Sequence, residues 1–434
     1  MSRRGIRLAR AASAAALAAA LSIPSAWPAP EAPAPPAAPS SLTLDEAIRL
    51  AVGASPALRA ARERVAVEEG LRHQAGLYPN PDLSLDATWF TDTWNYREAI
   101  LTLRQPIPWH GKRGLMQHEA DERIAAARAD AESARLDLFL KVRESFYRII
   151  WSGTILDLDR ENLEAARAIH TAVEARVAAG DAAPFEALKA AVEVSRAESE
   201  VRQVEGERQA ETAVFNLLLG LPASAATTVA AATSFAAPVD LAPIGQNAPE
   251  ADLPDLLTRA LRTQPEIQAR AHAALAAGAA ADLARLDPRP DIGVGPSFGT
   301  DQGEAMVGVG LSLKLPVWDR NQGRIAAADA GRRQAEAEVD AARLLVSSSV
   351  ADAYGRFRSA SDLRRLYQEG LLAQADSLVE LARKSYDGGA TGILDLLDAR
   401  RTAILVKEDY YRACLDAALA AARLRRAVGE EDAP

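Results

Sequence analysis

The chain has 434 residues, 59 acidic against 50 basic side chains, a formal net charge of −9 and a single cysteine, Cys414. The acidic balance argues against a nucleic-acid binder, and one cysteine excludes an intrachain disulfide. Past the leader no segment runs 18 apolar residues, so no transmembrane helix is expected; a periplasmic protein or a membrane β-barrel remains.

Residues 1–26 read as a signal peptide, with Arg3, Arg4, Arg7 and Arg10 before a short apolar run at 11–23. Residues 27–41, rich in Pro and Ala, read as an extended leader. A helix is predicted over 43–77, with Thr43 as N-cap and Glu46 completing a capping box. Pro79-Asn80-Pro81 stops it. Two strands follow. Leu83, Leu85, Ala87 and Trp89 alternate with polar residues, as do Ala99, Leu101 and Leu103, giving one apolar and one polar face. Residues 111–179 then read as one helix without proline, on the order of 100 Å long at 1.5 Å per residue, with Gly153 marking a small bend. Val142, Ile149, Leu156 and Leu163 fall at coiled-coil spacing. Gly180-Asp181 turns the chain, and a return helix runs from Pro184 to Gly220.

Residues 221–252, rich in Pro and Ala, read as a linker, and from there the chain repeats itself. Pro56 recurs as Pro265, Pro79-x-Pro81-Asp82 as Pro288-x-Pro290-Asp291, Trp109 as Trp318, Gly180 as Gly389 and Gly220 as Gly429, each pair 209 apart (265 − 56, 429 − 220). The chain is an internal duplication with repeats at 42–220 and 253–429 and a short tail at 430–434. In the second repeat, Ile292, Val294 and Phe298 lie on one strand face, and Ala305, Val307, Val309, Leu311, Leu313 and Leu315 on another. A long helix is predicted over 323–387, bent at Gly355, followed by a return helix from Ile393 with a seam of Leu397, Ile404, Tyr411 and Ala418.

Each strand has about the length that crosses a bilayer when tilted. Trp89, Phe90, Trp94, Tyr96, Trp109 and Trp318 cluster at strand ends, as an interfacial girdle would. Catalytic and cofactor motifs are absent. The histidines (His73, His110, His118, His170, His272) are scattered, so no metal site is expected, and Cys414 reads as a buried helix residue.

The segments Tyr78-Pro-Asn-Pro-Asp82, Gln105-Pro-Ile-Pro-Trp109, Gly111-Lys-Arg-Gly114, Leu315-Pro-Val-Trp-Asp-Arg-Asn-Gln-Gly323, Tyr386-Asp-Gly-Gly389 and Leu394-Asp-Leu-Leu-Asp398-Ala399 resemble the TolC-like outer-membrane efflux channels. The likeness is greatest to the heavy-metal branch typified by CzcC and CusC, and covers residues 42–429. The resemblance implies a mainly α protein with a membrane β-barrel portion. Three protomers would give four strands each to a twelve-stranded barrel in the outer membrane, and their long helices would form an α-barrel through the periplasm, ringed at its equator by 221–252. The turns at Gly180 and Gly389 would be tips docked by a periplasmic adaptor, with an inner-membrane transporter of the resistance-nodulation-division type behind it. It also implies a periplasmic gate at Asp395 and Asp398, a tip-lock tyrosine at Tyr386 and an acidic partner position at Glu186. Where some members carry an arginine, this chain has Thr391. The strand residues Leu83, Leu85, Leu101, Leu103, Ile292, Val294, Val309 and Leu311 would build the barrel. No enzymatic activity and no cofactor are implied. Rival readings are a duct for drugs or secreted polypeptides, and a structural coiled-coil protein of the envelope. A scaffold, however, has no need of two bilayer-length hairpins.

Overall fold

The computed structural model describes residues 41–89, 97–109, 111–229, 252–301 and 304–430. The expected signal peptide, residues 27–40 of the leader, Phe90, Trp94, Tyr96, His110, residues 230–251 of the linker and 431–434 of the tail lie outside them, as does the side chain of Trp89.

The first repeat comprises α1 (Leu44–Ala54), α2 (Pro56–Ala75), β1 (Asp82–Trp89), β2 (Arg97–Ile107), α3 (Lys112–Ala179) and α4 (Pro184–Leu218). The second comprises α5 (Leu253–Thr263), α6 (Pro265–Leu286), β3 (Ile292–Asp301), β4 (Glu304–Leu313), α7 (Gln322–Leu366), a π turn (Tyr367–Leu371), α8 (Leu372–Asp387) and α9 (Ile393–Val428). The capping box forms: the Thr43 hydroxyl accepts from the Glu46 amide, and the Glu46 carboxylate accepts from the Thr43 amide at 2.9 Å.

Four expectations are corrected. The helix predicted over 43–77 is two helices. Pro56 has no amide to bond backwards and pushes Ser55 into extended backbone, so Ser55 ends α1 and caps α2. Gln264 and Pro265 repeat the break between α5 and α6. Secondly, the long helix predicted over 323–387 is interrupted by a π turn at Tyr367–Leu371, while Gly153 and Gly355 lie inside regular helix. Buried Leu138 and Val142 of α3 correspond to buried Val346 and Val350 of α7, 208 positions on (346 − 138), yet the tip carbonyls of Arg176 and Ser385 are 209 apart (385 − 176). The π turn takes up that one residue, since its wider loop holds an extra peptide without ending the helix. Thirdly, β4 ends at Leu313, so Leu315 lies beyond the strand. Lastly, the buried sevenfold series of α9 is Leu396, Ala403, Tyr410, Ala417 and Leu424, one residue before the expected seam, of which Ala418 is buried and Leu397, Ile404 and Tyr411 are half-buried.

The long α3 organises the helices. It packs against α1, α2, α4, α6 and α9, while α7 packs against α5, α6 and α9. One core joins α1 to α3 and α4 through Ala47, Ile48, Val142, Phe146 and Phe215; its counterpart joins α5, α7 and α9 through Leu256, Ala260, Val346, Val350 and Leu424. A further cluster places Tyr410, Cys414 and Leu419 of α9 against Tyr147 and Trp151 of α3. Much of the packing surface is alanine, which lets helix axes approach closely.

Candidate functional site

The sheet has the order β1-β2-β3-β4, all antiparallel, so the repeats join in one sheet through β2 and β3. The register pairs Leu83 with Leu103, Leu85 with Leu101, Leu101 with Phe298, Val294 with Leu311 and Ile292 with Leu313. Directly paired residues share a face. Leu83, Leu85, Leu101, Leu103, Ile292, Val294, Phe298, Val307, Val309 and Leu311 therefore make one continuous apolar surface. It is not covered: Val309 is 81% and Leu311 76% exposed.

The opposite face carries Asp86, Thr102, Arg104, Ser297, Ser312 and five glycines. Here the strands crowd one another. A Cβ on Gly295 would lie 1.6 Å from the Leu103 carbonyl oxygen, and one on Gly293 2.4 Å from the Ser312 hydroxyl. Crowding on the polar face and open space on the apolar face describe a sheet curled with its polar side inward. β1 and β4 each leave one edge unpaired. An exposed edge beside a bare apolar face invites another strand and an apolar solvent. No helix among the described residues is long and apolar enough to cross a membrane.

Where the strands meet the helices, the repeats are clamped together. Lys112, only 6% exposed, donates to the Asp287 and Arg289 carbonyls at 3.2 and 2.8 Å and to the Asp291 carboxylate at 3.0 Å. The same carboxylate oxygen accepts from the Trp109 amide at 2.9 Å. A buried ammonium needs all its protons bonded, and this one has three acceptors.

At the far end of the long helices are two turns of the same build. Gly180 (φ 84°) and Gly389 (φ 73°) adopt left-handed backbone. The amides after them, Asp181 and Ala390, reach back to Arg176 and Ser385 carbonyls, each at 2.8 Å, as in a Schellman motif. The tips meet in a small cluster of Val173, Ile393 and Leu396 with Ala187, Tyr386 and Leu397 around it. The Tyr386 ring lies under the Arg176 guanidinium at 5.1 Å. Its hydroxyl and that of Thr391 are buried and make no hydrogen bond. Glu186 is half-buried in the first turn of α4. Asp395 and Asp398 of α9 are exposed, whereas Ile393, Leu396 and Ala399 are buried. Tyr386 is thus drawn into the tip core, while the two aspartates stand clear of it, next to one another.

One carboxylate was not anticipated. Asp159 sits midway along α3 and is 3% exposed, yet among the described residues it makes no hydrogen bond or ion pair. It lines a groove of about 480 Å³ between α3, α4 and α9, with Glu200 and Glu408 facing it. Burial, and then Glu200, push its pKa up to about 6. Burial, followed by Asp159, also raises Glu408. The signal was in the sequence: Ser152, Asp159, Ala166 and Val173 form a second sevenfold series beside Leu156 and Leu163, which places a carboxylate in the seam. Among the described residues no group of three or more His, Cys, Asp or Glu is placed to hold a metal ion.

The family model described as "Outer membrane efflux protein" matches residues 47–221 and 256–430, once per repeat. The cobalt-zinc-cadmium resistance protein CzcC of Cupriavidus metallidurans is 27% identical over 368 residues, 83% of this chain and 84% of that protein. The pyoverdine export outer membrane protein OpmQ of Pseudomonas putida is 25% identical over 80% of this chain and 73% of its own length. A crystal structure of CusC, whose transmembrane channel formation it describes, superposes with a TM-score of 0.74 at 19% identity, covering 89% of this chain and 92% of the other.

Proposed function

This chain belongs to the outer membrane efflux protein family, and from that premise we propose that it is the trimeric exit duct of a tripartite pump that expels heavy-metal cations. The observation that carries the reading is the bare apolar sheet face with two open edges. Four strands cannot close on themselves, but three copies close every edge and turn the apolar face to lipid. The mature chain begins after the proposed signal at 1–26, and the two repeats at 42–220 and 253–429 act as six similar staves. The long helices carry the duct inward through the periplasm. The Gly180 and Gly389 turns are the adaptor-docking tips, and an inner-membrane transporter of the resistance-nodulation-division type supplies the energy. The chain itself performs no chemistry and takes no cofactor.

In this reading Asp395 and Asp398 form acidic rings at the narrow periplasmic end, where carboxylates favour cations. Glu186 and Tyr386 hold the neighbouring tip. Similarity to CzcC supports metal cargo, whereas similarity to OpmQ supports a second reading, a duct for an organic siderophore or drug. Deleting the gene and measuring growth inhibition separates them. The metal reading expects heightened sensitivity to cobalt, zinc or cadmium, restored by the plasmid-borne gene. Unchanged metal tolerance with heightened sensitivity to organic compounds favours the second.

A further inference from the structure

Asp159 is a carboxylate that the fold encloses and leaves without a partner. It is 3% exposed and, among the described residues, has no hydrogen bond or ion pair. Glu408 of α9 faces it across the groove, is half-buried and is likewise unpartnered among the described residues. Enclosed carboxylates are ordinarily paired or hydrogen-bonded. Two that face one another with space between them disfavour each other's charge, and nothing within the protomer offsets it.

The arginines of the groove leave this pair open. Arg196 of α4 donates to Glu200 at 3.0 Å, so those two charges satisfy each other. Arg400, Arg401 and Arg412 of α9 also line the groove but form no ion pair with Asp159 or Glu408. Glu193, Glu207 and Asp409 add further negative charge, so carboxylates outnumber guanidinium groups. At about 480 Å³ the space far exceeds that of a single water and suits a small organic molecule. A metal ion would need several ligands converging on one point, and among the described residues no group of three is so placed. An organic ammonium needs only acceptors for its N–H groups and an apolar wall for its body. Trp151, Ile155 and Asp159 fall four apart on one stripe of α3, and Ile404 precedes Glu408 by one turn of α9.

We propose that this groove binds an organic ammonium ion, whose N–H groups donate to Asp159 and Glu408 and whose apolar body lies along Ile155, Trp151 and Ile404. Charge-assisted hydrogen bonds in an enclosed place supply the affinity, and the aromatic and aliphatic walls select an organic cation over a small hydrated one. The groove is formed by α3, α4 and α9 of one protomer, so the site exists whether or not three copies form a duct. A carboxylate that costs the empty bundle stability is then kept for its ligand, an exchange of stability for function.

Titration calorimetry on the full-length protein in detergent tests it, at about pH 8 so that Asp159 is ionised. The probes are phenethylamine and its neutral isostere, phenethyl alcohol. The amine should bind saturably, and the alcohol about tenfold more weakly or not at all. Asp159→Asn keeps the shape of the side chain and should weaken the amine about tenfold; adding Glu408→Gln should abolish saturable binding. Glu164→Gln removes an exposed charge from the same helix and should bind the amine as the wild type does. Helix melting by circular dichroism verifies that each variant is folded. Equal binding of amine and alcohol, wild-type affinity in Asp159→Asn, or no saturable binding to the wild type overturns the site. So does a loss in Glu164→Gln as large as that in Asp159→Asn, which would reduce the effect to the acidity of the whole chain.

Discussion

The sheet and the helical bundle bury opposite things. In the bundle, Val142, Phe146, Phe215 and Val350 are enclosed, and most charged side chains, Asp159, Arg143 and Arg425 excepted, stand at the surface. In the sheet, Val307, Val309 and Leu311 are bare while glycine, serine and charged residues crowd the concave side. One chain obeys both patterns because its two regions meet different solvents. Water drives the helices to hide apolar surface, at roughly 25 cal/mol per Å². A sheet whose apolar side faces lipid gains nothing by hiding it, and its polar side must line an interior that water can reach. Under the proposed duct, the contrast puts the membrane boundary where β2 and β4 give way to α3 and α7.

Substitutions can break that contrast. The largest effect should come from the bundle core. Phe215→Ala removes a fully buried ring and should cost roughly 3–5 kcal/mol, seen as a lower midpoint of helix unfolding by circular dichroism. Loss of stability equal to that of a surface substitution would mean that the core lies elsewhere. In the sheet the rule reverses. Val309→Arg should impair trimer assembly in outer-membrane extracts by about 2–4 kcal/mol, and Ser312→Arg on the other face should be better tolerated. Equal damage from both would remove lipid as the solvent of the apolar face.

Asp159 sharpens the comparison from the helical side, being a carboxylate where the bundle should be apolar. Its folded pKa of about 6 lies above the ordinary carboxylate value. The native state therefore holds its proton more tightly than the unfolded state. The stability tied to that proton is full at about pH 4 and is lost as pH rises through 6. Asp159→Asn should thus stabilise the protein above pH 6 by roughly 2 kcal/mol, with the gain vanishing near pH 4. Thermal melts at both pH values check this; a gain independent of pH would refute the assignment. A smaller effect is expected at the tips. Gly389→Val forces a branched side chain into left-handed backbone and should cost about 1–2 kcal/mol, and under the docking proposal it should also abolish efflux in cells that still assemble trimers. Smallest in stability is the exposed pair. Asp395→Ala with Asp398→Ala should leave unfolding within about 0.5 kcal/mol of wild type, while raising conductance and lowering cation preference in planar bilayers. Unchanged selectivity would move the gate away from α9.

Much of this was legible in the sequence because its causes are local. Proline forbids a helical hydrogen bond wherever it stands, so the stop at Pro79-Asn80-Pro81 is legible, whereas the break at Pro56 is not, since proline is also accepted in the first turn of a helix. Glycine followed by a reversal of periodicity fixed the tips at Gly180 and Gly389. Period-two alternation told which side of each strand was apolar, and the duplication told that the second half would repeat the first. The phase of α9 was not legible. Leucine or alanine occupies 396 and 403 as well as 418, and Tyr410 stands beside Tyr411, so sevenfold spacing fits two adjacent series. Only contact with α3 and α8 chose the one that begins at Leu396. The π turn was hidden for a similar reason: one extra residue leaves no mark until the helix must keep its stripe against neighbours at both ends. The Lys112–Asp291 clamp and the burial of Asp159 join residues far apart in the chain, or depend on which helices cover a groove. Periodicity carries no information about such partners, because it describes one element at a time, whereas burial and charge pairing belong to the space between elements.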